Sequence, residues 1–193
     1  MYFKKILLIS ILAATPLLES CIATTVIAGS AVVGLILYDS RSTKAMADDH
    51  NISYKAQGII NEDPELKDHS NISVVSFNYI VLLVGEVPNT KLKVHAQDII
   101  KDIPNIKHIY NQITVGPQIS ATTASNDALI TTKVKTELLK EKGLKTTQLK
   151  VITENRVVYL MGLISREEGK LAAKITQSVS GVNKVVKVFE YTS

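Results

Sequence analysis

The 193-residue sequence contains no tryptophan and a single cysteine, Cys21. A lone cysteine cannot form an intramolecular disulfide, so packed hydrophobic cores must stabilise the folded chain. Aromatic residues make up only 5% of the chain. This disfavours a nucleic-acid partner, because single-stranded bases usually stack on aromatic side chains. With 46% hydrophobic and 21% charged residues, the composition is globular and excludes a wholly disordered protein.

Residues suited to catalysis are also scarce. All four histidines lie within the first 108 residues, so residues 109–193 contain none. The run Asp48-Asp49-His50 has the composition of a metal site. No second ligand set follows at a recognisable spacing, so we interpret the run as an exposed cluster at a helix start. Nucleotide-binding glycine loops and a nucleophile elbow are absent. We predict no enzyme activity, no catalytic residue, no cofactor and no bound metal.

The first 20 residues have the pattern of a secretory signal. Lys4 and Lys5 precede an apolar stretch from Ile6 to Ala14, which is too short to span a bilayer comfortably. The segment Leu17-Leu18-Glu19-Ser20-Cys21 then resembles the lipobox of bacterial lipoproteins, with Glu19 departing from the usual small residue. The alternative is an ordinary signal peptide with an incidental cysteine. Because the only cysteine lies where lipid is attached, we predict cleavage before Cys21 and its acylation, including palmitate.

A second apolar stretch, from Ile22 to Tyr38, follows the cysteine. It is rich in Ala, Thr and Gly and therefore only weakly hydrophobic. We predict that residues 21–45 form a lipidated N-terminus and a flexible tether, while a transmembrane anchor is the alternative. Ile22, rather than Asp, follows the cysteine, and by resemblance to lipoproteins of diderm bacteria this favours sorting to the outer membrane.

The remainder of the chain is a tandem duplication. The segments Ile72 to Val75 and Val81 to Val87 have counterparts 77 positions later, at Leu149 to Ile152 and Val158 to Ile164. The predicted domains are residues 46–116 and 127–193, joined by a linker at 117–126. Each copy reads as helix, strand, strand, helix, strand. We therefore predict an α+β protein with two modules, each a three-stranded mixed sheet with two helices on one face.

Three details of this prediction concern particular residues. The first helix of the second copy is expected to begin at Asn126 or Asp127, and Ile130, Val134, Leu138 and Leu139 recur along it at helical spacing. The following hairpin is expected to turn at Glu154-Asn155. Gly85 and Gly162 occupy equivalent places near strand ends, where we expect a side chain to collide with a packed helix.

Several motifs make the resemblance specific. They include Leu82-Leu83-Val84-Gly85, Ala124-Ser125-Asn126-Asp127 and Leu160-Met161-Gly162-Leu163. Paired modules with these motifs behind a lipobox resemble the outer-membrane lipoproteins with two BON domains. The resemblance covers about residues 39 to 193. It implies a protein on the periplasmic face of the outer membrane that maintains membrane integrity by binding anionic phospholipid, such as phosphatidylglycerol, through its second BON domain. It also implies enrichment at the division site and contact with the outer-membrane protein assembly complex.

Charge is divided unequally between the two copies. Residues 46–119 contain 6 Lys and Arg against 9 Asp and Glu, a net charge of −3. Residues 120–193 contain 12 against 7, a net charge of +5. The basic second copy therefore suits an anionic lipid surface, to which each nearby Lys or Arg contributes about 1 kcal/mol. The acidic first copy leaves an alternative function open, a protein-interaction module for which lipid binding is secondary.

The predicted lipid contact is the first helix of the second copy. It combines apolar and basic side chains, and the resemblance places a tryptophan of the family where this chain has Leu129. The alternative is that its apolar residues face the core of the module and its lysines are solvated. The predicted phospholipid-binding residues are Leu129, Ile130, Lys133, Val134, Lys135 and Lys140.

Overall fold

A computed structural model gives the structure of residues 41–192, so the predicted signal peptide, Cys21 and most of the predicted tether lie outside the described residues. The first module consists of helix α1 (Thr43–Glu62), strands β1 (Asn71–Phe77) and β2 (Ile80–Val87), helix α2 (Thr90–Asp98), and the short strands β3 (His108–Asn111) and β4 (Thr114–Val115). The second consists of helix α3 (Ala121–Lys140), a 3-10 turn (Thr146–Gln148), strands β5 (Leu149–Glu154) and β6 (Val157–Ile164), helix α4 (Arg166–Ser178) and strand β7 (Lys184–Tyr191).

The two modules share one sheet topology. In the first, β1 runs antiparallel to β2, while β3 and β4 pair in parallel with successive parts of β2. In the second, β5 runs antiparallel to β6, and β7 runs parallel to β6. A helix separates the two parallel strands of each module, as a parallel connection requires. The predicted α+β class and the duplicated order of helices and strands are confirmed.

Each sheet has one face against its own helices. In the first module, Ile52 and Ile60 of α1 and Ala96 of α2 pack with Val81 and Leu83 of β2 in one core. The second module has an equivalent core in which α3 and α4 cover the same face of the sheet. Side chains alternate along a strand, so every second residue of β2 and β6 points away from these cores.

The remaining faces of the two sheets pack against each other. A third core contains Phe77, Leu82 and Val84 from the first module, and Tyr159, Met161 and Val188 from the second. Polar contacts border it: the Asn78 side chain donates to Glu190 at 2.8 Å, and Lys150 Nζ lies 3.4 Å from the Ser76 carbonyl oxygen. The described chain therefore forms four layers, with helices outside and two sheets inside. This explains why β2 and β6 read as almost continuous apolar runs.

A buried aspartate fixes the hairpin of each module. Asp127 accepts hydrogen bonds from the backbone N–H of Asn155 (2.7 Å) and of Arg156 (2.9 Å). These two turn residues have positive φ angles of 46° and 62°, which suit a tight hairpin turn. Asp49 makes the same contacts with Asn78 and Tyr79 in the first module.

The Asp49 and Asp127 geometry corrects two predictions. Asp49 is buried at 4% exposure, not part of an exposed cluster, and Asp127 lies inside a helix and does not cap it. The predicted turn at Glu154-Asn155 is one residue too early, because Glu154 still pairs with Val157.

Helix α3 starts earlier than the sequence indicated. It begins at Ala121, and the hydroxyl of Ser120 accepts the backbone N–H of Thr123 at 3.2 Å as its N-cap. The predicted linker at 117–126 therefore overlaps the helix. Asn126 was the wrong N-cap, because Ser120 is an equally good capping residue one and a half turns earlier.

The two glycines near the strand ends are required for a reason other than the predicted one. A Cβ atom at Gly85 would lie 1.8 Å from the backbone oxygen of Asn71, and Gly85 has a φ of +119°. A Cβ atom at Gly162 would lie 2.8 Å from Leu149 Cδ2 and 2.9 Å from the Gln148 oxygen. These atoms belong to the neighbouring hairpin strand and the turn before it. The prediction of a collision with a packed helix was therefore wrong.

Replacing Gly85 by alanine is expected to destabilise the protein by about 3 kcal/mol or more, since the residue would be strained and would displace Asn71. Gly58 in helix α1 provides the control, because a Cβ atom there meets nothing within 4 Å. Gly58→Ala should stabilise by about 0.5–1 kcal/mol. Urea unfolding of both variants measures the difference, and equal stabilities would contradict the assigned role of Gly85.

Replacing Asp127 by alanine is expected to destabilise the protein by about 1–3 kcal/mol, because the two turn amides lose the charged carboxylate that accepts their hydrogen bonds. Asp127→Asn should fall between alanine and the parent, since it retains one acceptor oxygen. The exposed Asp102 is the control, and Asp102→Ala should change stability by less than about 0.5 kcal/mol. A parental melting temperature for Asp127→Ala would show that the turn does not depend on this carboxylate.

Candidate functional site

Helix α3 has one buried face and one exposed face. Ile130, Val134 and Leu138 are buried at 5%, 0% and 2% exposure, and they pack in the core of the second module. The prediction that Ile130 and Val134 contact lipid is corrected accordingly, because both side chains already pack against the sheet of their own module. Leu129 is 59% exposed. Of the predicted apolar contacts, Leu129 alone is on the outer face.

Leu139 is a second apolar residue on this outer face, with 67% exposure. In the sequence Leu139 shares one helical apolar pattern with Leu138, but neighbouring residues of a helix point about 100° apart. Only one of two adjacent leucines can enter the core. Leu129 and Leu139 are ten residues apart, which corresponds to about 15 Å along the axis and about 80° around it. They therefore bracket the solvent-facing side of α3.

The predicted lysines surround these two leucines. Lys133, Lys135 and Lys140 are all exposed. On a helical projection Lys133 and Lys140 lie on the side of Leu129, and Lys135 lies on the side of Leu139. Lys140 Nζ also lies 2.6 Å from Glu137 Oε1, a surface ion pair of small energetic weight. We call Leu129, Leu139 and these three lysines the outer face of α3.

An apolar groove adjoins the outer face at Leu139. It has a volume of about 290 Å³ and lies between α3 and the edge strand β5. Leu149 and Val151 of β5 form one wall, while Lys135 and Leu139 of α3 form the other. The groove extends the apolar surface of the outer face toward the sheet.

The residues that suggested a metal site have other roles. Asp48 pairs with Lys44 and accepts a hydrogen bond from the Tyr79 hydroxyl at 3.1 Å. The hydrogen bond from Lys44 lowers the pKa of Asp48. Asp49 holds the hairpin turn, as described above. Within residues 41–192, no three His, Asp or Glu side chains are grouped so that they could hold a metal ion. In the same part of the chain, no helix is long and apolar enough to cross a bilayer.

Comparison with known proteins identifies the modules. The sequence pattern of the BON domain matches residues 48–117 and 126–193. The chain is 37% identical over 181 residues to "Outer membrane lipoprotein DolP" of Haemophilus influenzae, which covers 94% of this chain and 93% of that protein. It is 36% identical over 153 residues to "21 kDa hemolysin" of Actinobacillus pleuropneumoniae, covering 79% of each.

A solved structure with weaker similarity is the C-terminal domain of CdsD, a structural protein of the type III secretion system of Chlamydia trachomatis. It is 13% identical with a TM-score of 0.30, and the match covers 75% of this chain and 67% of that one. A TM-score this low does not support any conclusion about the fold or the function.

The relationship to the Haemophilus protein supports an outer-membrane lipoprotein, and neither of the two relatives is named as an enzyme. The two BON matches coincide with the two duplicated modules of the structure. The chain therefore belongs to the BON-domain family, as a paired-BON protein of the DolP type.

Proposed function

We propose that this protein is a non-enzymatic lipoprotein, anchored by lipid at Cys21 to the periplasmic face of the outer membrane, and that its second BON domain binds anionic phospholipid. Maintenance of membrane integrity would follow from this binding. The observation that carries the proposal is the outer face of α3, where two exposed leucines stand among three lysines.

The energetics favour a membrane surface as the ligand of this face. Full burial of a leucine side chain contributes about 1.5–3 kcal/mol, and Leu129 and Leu139 have most of their surface still available. Each lysine beside an anionic surface adds about 1 kcal/mol. An amphipathic helix of this kind inserts its apolar residues at the level of the acyl chains while its lysines meet the phosphates. The groove beside Leu139 offers further apolar surface to an acyl chain.

The lipid anchor and the outer face act together in this proposal. The lipid anchor keeps the chain beside the membrane, so even a weak further contact is made at a high local concentration of lipid. The +5 charge of residues 120–193 favours such a contact with anionic lipid, whereas the −3 charge of residues 46–119 opposes it. The second BON domain would therefore face the lipid and the first would face the periplasm.

A docking function for the first BON domain is the second candidate. Tyr54 of α1 and Val94 of α2 are 76% and 53% exposed, and they lie on the acidic module. Exposed apolar residues of this size often mark protein contacts. The proposed partner is the outer-membrane protein assembly complex, as the family resemblance suggests. Enrichment at the division site remains a prediction of the same resemblance.

The double variant Leu129→Glu/Leu139→Glu is expected to weaken binding to vesicles containing phosphatidylglycerol at least about tenfold, since both insertion points become charged. Residues 39–193, which include every described element, are mixed with the vesicles and the bound fraction is measured by flotation. Tyr54→Glu/Val94→Glu is the matched control, because it adds the same two charges at exposed apolar residues of the first module. Parental binding by Leu129→Glu/Leu139→Glu would remove the lipid role of this face and favour the docking function.

The double variant Lys133→Ala/Lys135→Ala is expected to weaken the same binding about 30-fold at low salt, the equivalent of about 2 kcal/mol. The difference from the parent should shrink as salt rises to about 0.5 M, because screening removes the electrostatic term. Lys55→Ala/Lys67→Ala is the control, with the same charge change at exposed positions of the first module. Equal losses in both double variants would show that net charge, not the outer face of α3, governs binding.

A further inference from the structure

Two carboxyl groups meet where the first module contacts the hairpin of the second. Glu86 is on β2 and is only 2% exposed, although it is ionisable. Glu154 is the last residue of β5 and is half-buried. Their side chains lie close enough together for the charge of Glu86 to raise the pKa of Glu154. The contact therefore joins the two BON domains through two groups that would repel each other if both were ionised.

The surroundings of this pair leave oxygen atoms without donors. Oε1 of Glu86 and Oε1 of Glu154 are buried and have no hydrogen-bond donor within residues 41–192. The other oxygen of Glu86, Oε2, accepts only a long hydrogen bond, at 3.4 Å, from the backbone N–H of Ile119 among the bonds within residues 41–192. An unsatisfied buried acceptor costs about 1–3 kcal/mol, more when it is charged. A proton bound to one carboxyl group would donate a hydrogen bond to the other, so both unsatisfied oxygen atoms would gain a partner.

The ionisable groups that face the pair do not neutralise it. Asp127 of α3 lies close enough to Glu86 and Glu154 to disfavour their ionisation, and the charges of both glutamates in turn act on Tyr159 of β6. Neither Asp127 nor Tyr159 can supply a positive charge. When two carboxyl groups lie at one site, the repulsion between their charges raises the pKa of one of them, so that the pair keeps a proton at a pH where a lone carboxyl has lost it.

The duplication shows that the fold itself does not require this pair. In the alignment of the two copies, Glu86 corresponds to Leu163 and Glu154 corresponds to Phe77. Phe77 and Leu163 both belong to the apolar core between the sheets. The pair formed by Phe77 and Leu163 is therefore apolar, whereas the equivalent pair formed by Glu154 and Glu86 is acidic. The acidic pair is a local feature of the contact between the modules and not a requirement of the fold.

We propose that Glu86 and Glu154 share one proton across the contact between the two BON domains, and that loss of this proton loosens the contact. Burial, followed by the charge of Glu86, raises the pKa of Glu154 to about 7 from an ordinary value of 4.5. Burial also raises the pKa of Glu86. The folded protein therefore keeps a proton at pH values where the unfolded chain has lost it. The resulting stabilisation is complete below about pH 4.5 and declines as the pH rises to about 7.

The proposal is tested with Glu154→Gln in the full chain, held in detergent at constant ionic strength. Between pH 5.5 and 8.0, the unfolding constant of the parent should rise on the order of 30-fold more than that of the variant, because glutamine donates to Glu86 at every pH. Glu190→Gln is the control: Glu190 also contacts the other module, at Asn78 and Lys107, and its loss should leave the pH profile parental. Identical pH profiles for the parent and Glu154→Gln would overturn the proposal.

Two further measurements remain decisive if Glu154→Gln does not fold. In the parent, the carboxyl carbon of Glu154 should titrate by NMR with an apparent midpoint near 7, and a midpoint near 4.5 would overturn the shared proton. The methyl group of Met161, buried in the core between the sheets, should change its NMR signal with the same midpoint. A Met161 signal constant from pH 5.5 to 8.0 would show that the contact between the domains does not respond.

A double variant with the apolar residues of the equivalent pair tests whether the pH dependence comes from the shared proton or from the packing at this contact. Glu86→Leu/Glu154→Phe places at this contact the residues that the sister positions carry. Replacement of a buried polar pair by apolar residues of suitable volume is often neutral or stabilising. We expect this double variant to fold and to show no decline in stability from pH 5.5 to 8.0 beyond that of Glu154→Gln. A decline equal to that of the parent would assign the pH effect to other groups and contradict the proposal.

Discussion

The packing of two sheets against each other is the constraint on which the rest of this structure depends. Each BON module covers one face of a small sheet with two helices and leaves the other face apolar. A module of about 70 residues is near the lower size limit for a stable independent core. The contact among Leu82, Val84, Tyr159 and Met161 gives each sheet its second covered face. The modules therefore stabilise each other, and the four helices of residues 41–192 remain on the outside.

This arrangement determines which surfaces are available for function. With both sheets buried, only helices, turns and strand edges reach the solvent, so binding must use an outer helix face or an edge groove. Helix α3 combines both, because its outer face carries Leu129 and Leu139 and its edge adjoins the groove beside β5. The inner face of the same helix is fixed by Val134 in the core. Because the inner face packs in the core, the outer leucines are held in the positions from which we propose that they contact lipid.

The two copies have the same architecture but opposite net charges. Buried Asp49 and Asp127 hold the hairpin turns in the same way, since a tight turn with positive φ angles leaves two amides that need an acceptor. Outside these fixed points the copies differ, with one acidic surface and one basic surface. At the contact between them, Glu86 and Glu154 replace what is an apolar combination at the sister positions. The common features serve folding, while the differences are where we propose function.

Much of the fold could be predicted from the amino-acid sequence, and the reason is the duplication. Two copies of the same apolar pattern, 77 residues apart, indicate the module boundaries, the strand pairs and the helical repeat without any knowledge of packing. The unequal net charge of the two copies could also be counted directly from the sequence. The start of α3 was not, because Ser120 and Asn126 are both good N-caps and only the position of Asp127 against the hairpin selects between them.

The site depended more on the tertiary structure. Sequence periodicity identified α3 and its lysines, but the buried side of the helix was decided by its contact with the sheet. That contact placed Ile130 and Val134 inside and Leu139 outside. Gly85 was noticed by its recurrence in both copies, yet only the register of β1 against β2 showed that the obstacle is the Asn71 backbone. The sequence by itself determined the repeated unit, because hydrophobic periodicity is local. The tertiary structure alone decided which residues meet, because contact between distant segments depends on how whole layers pack.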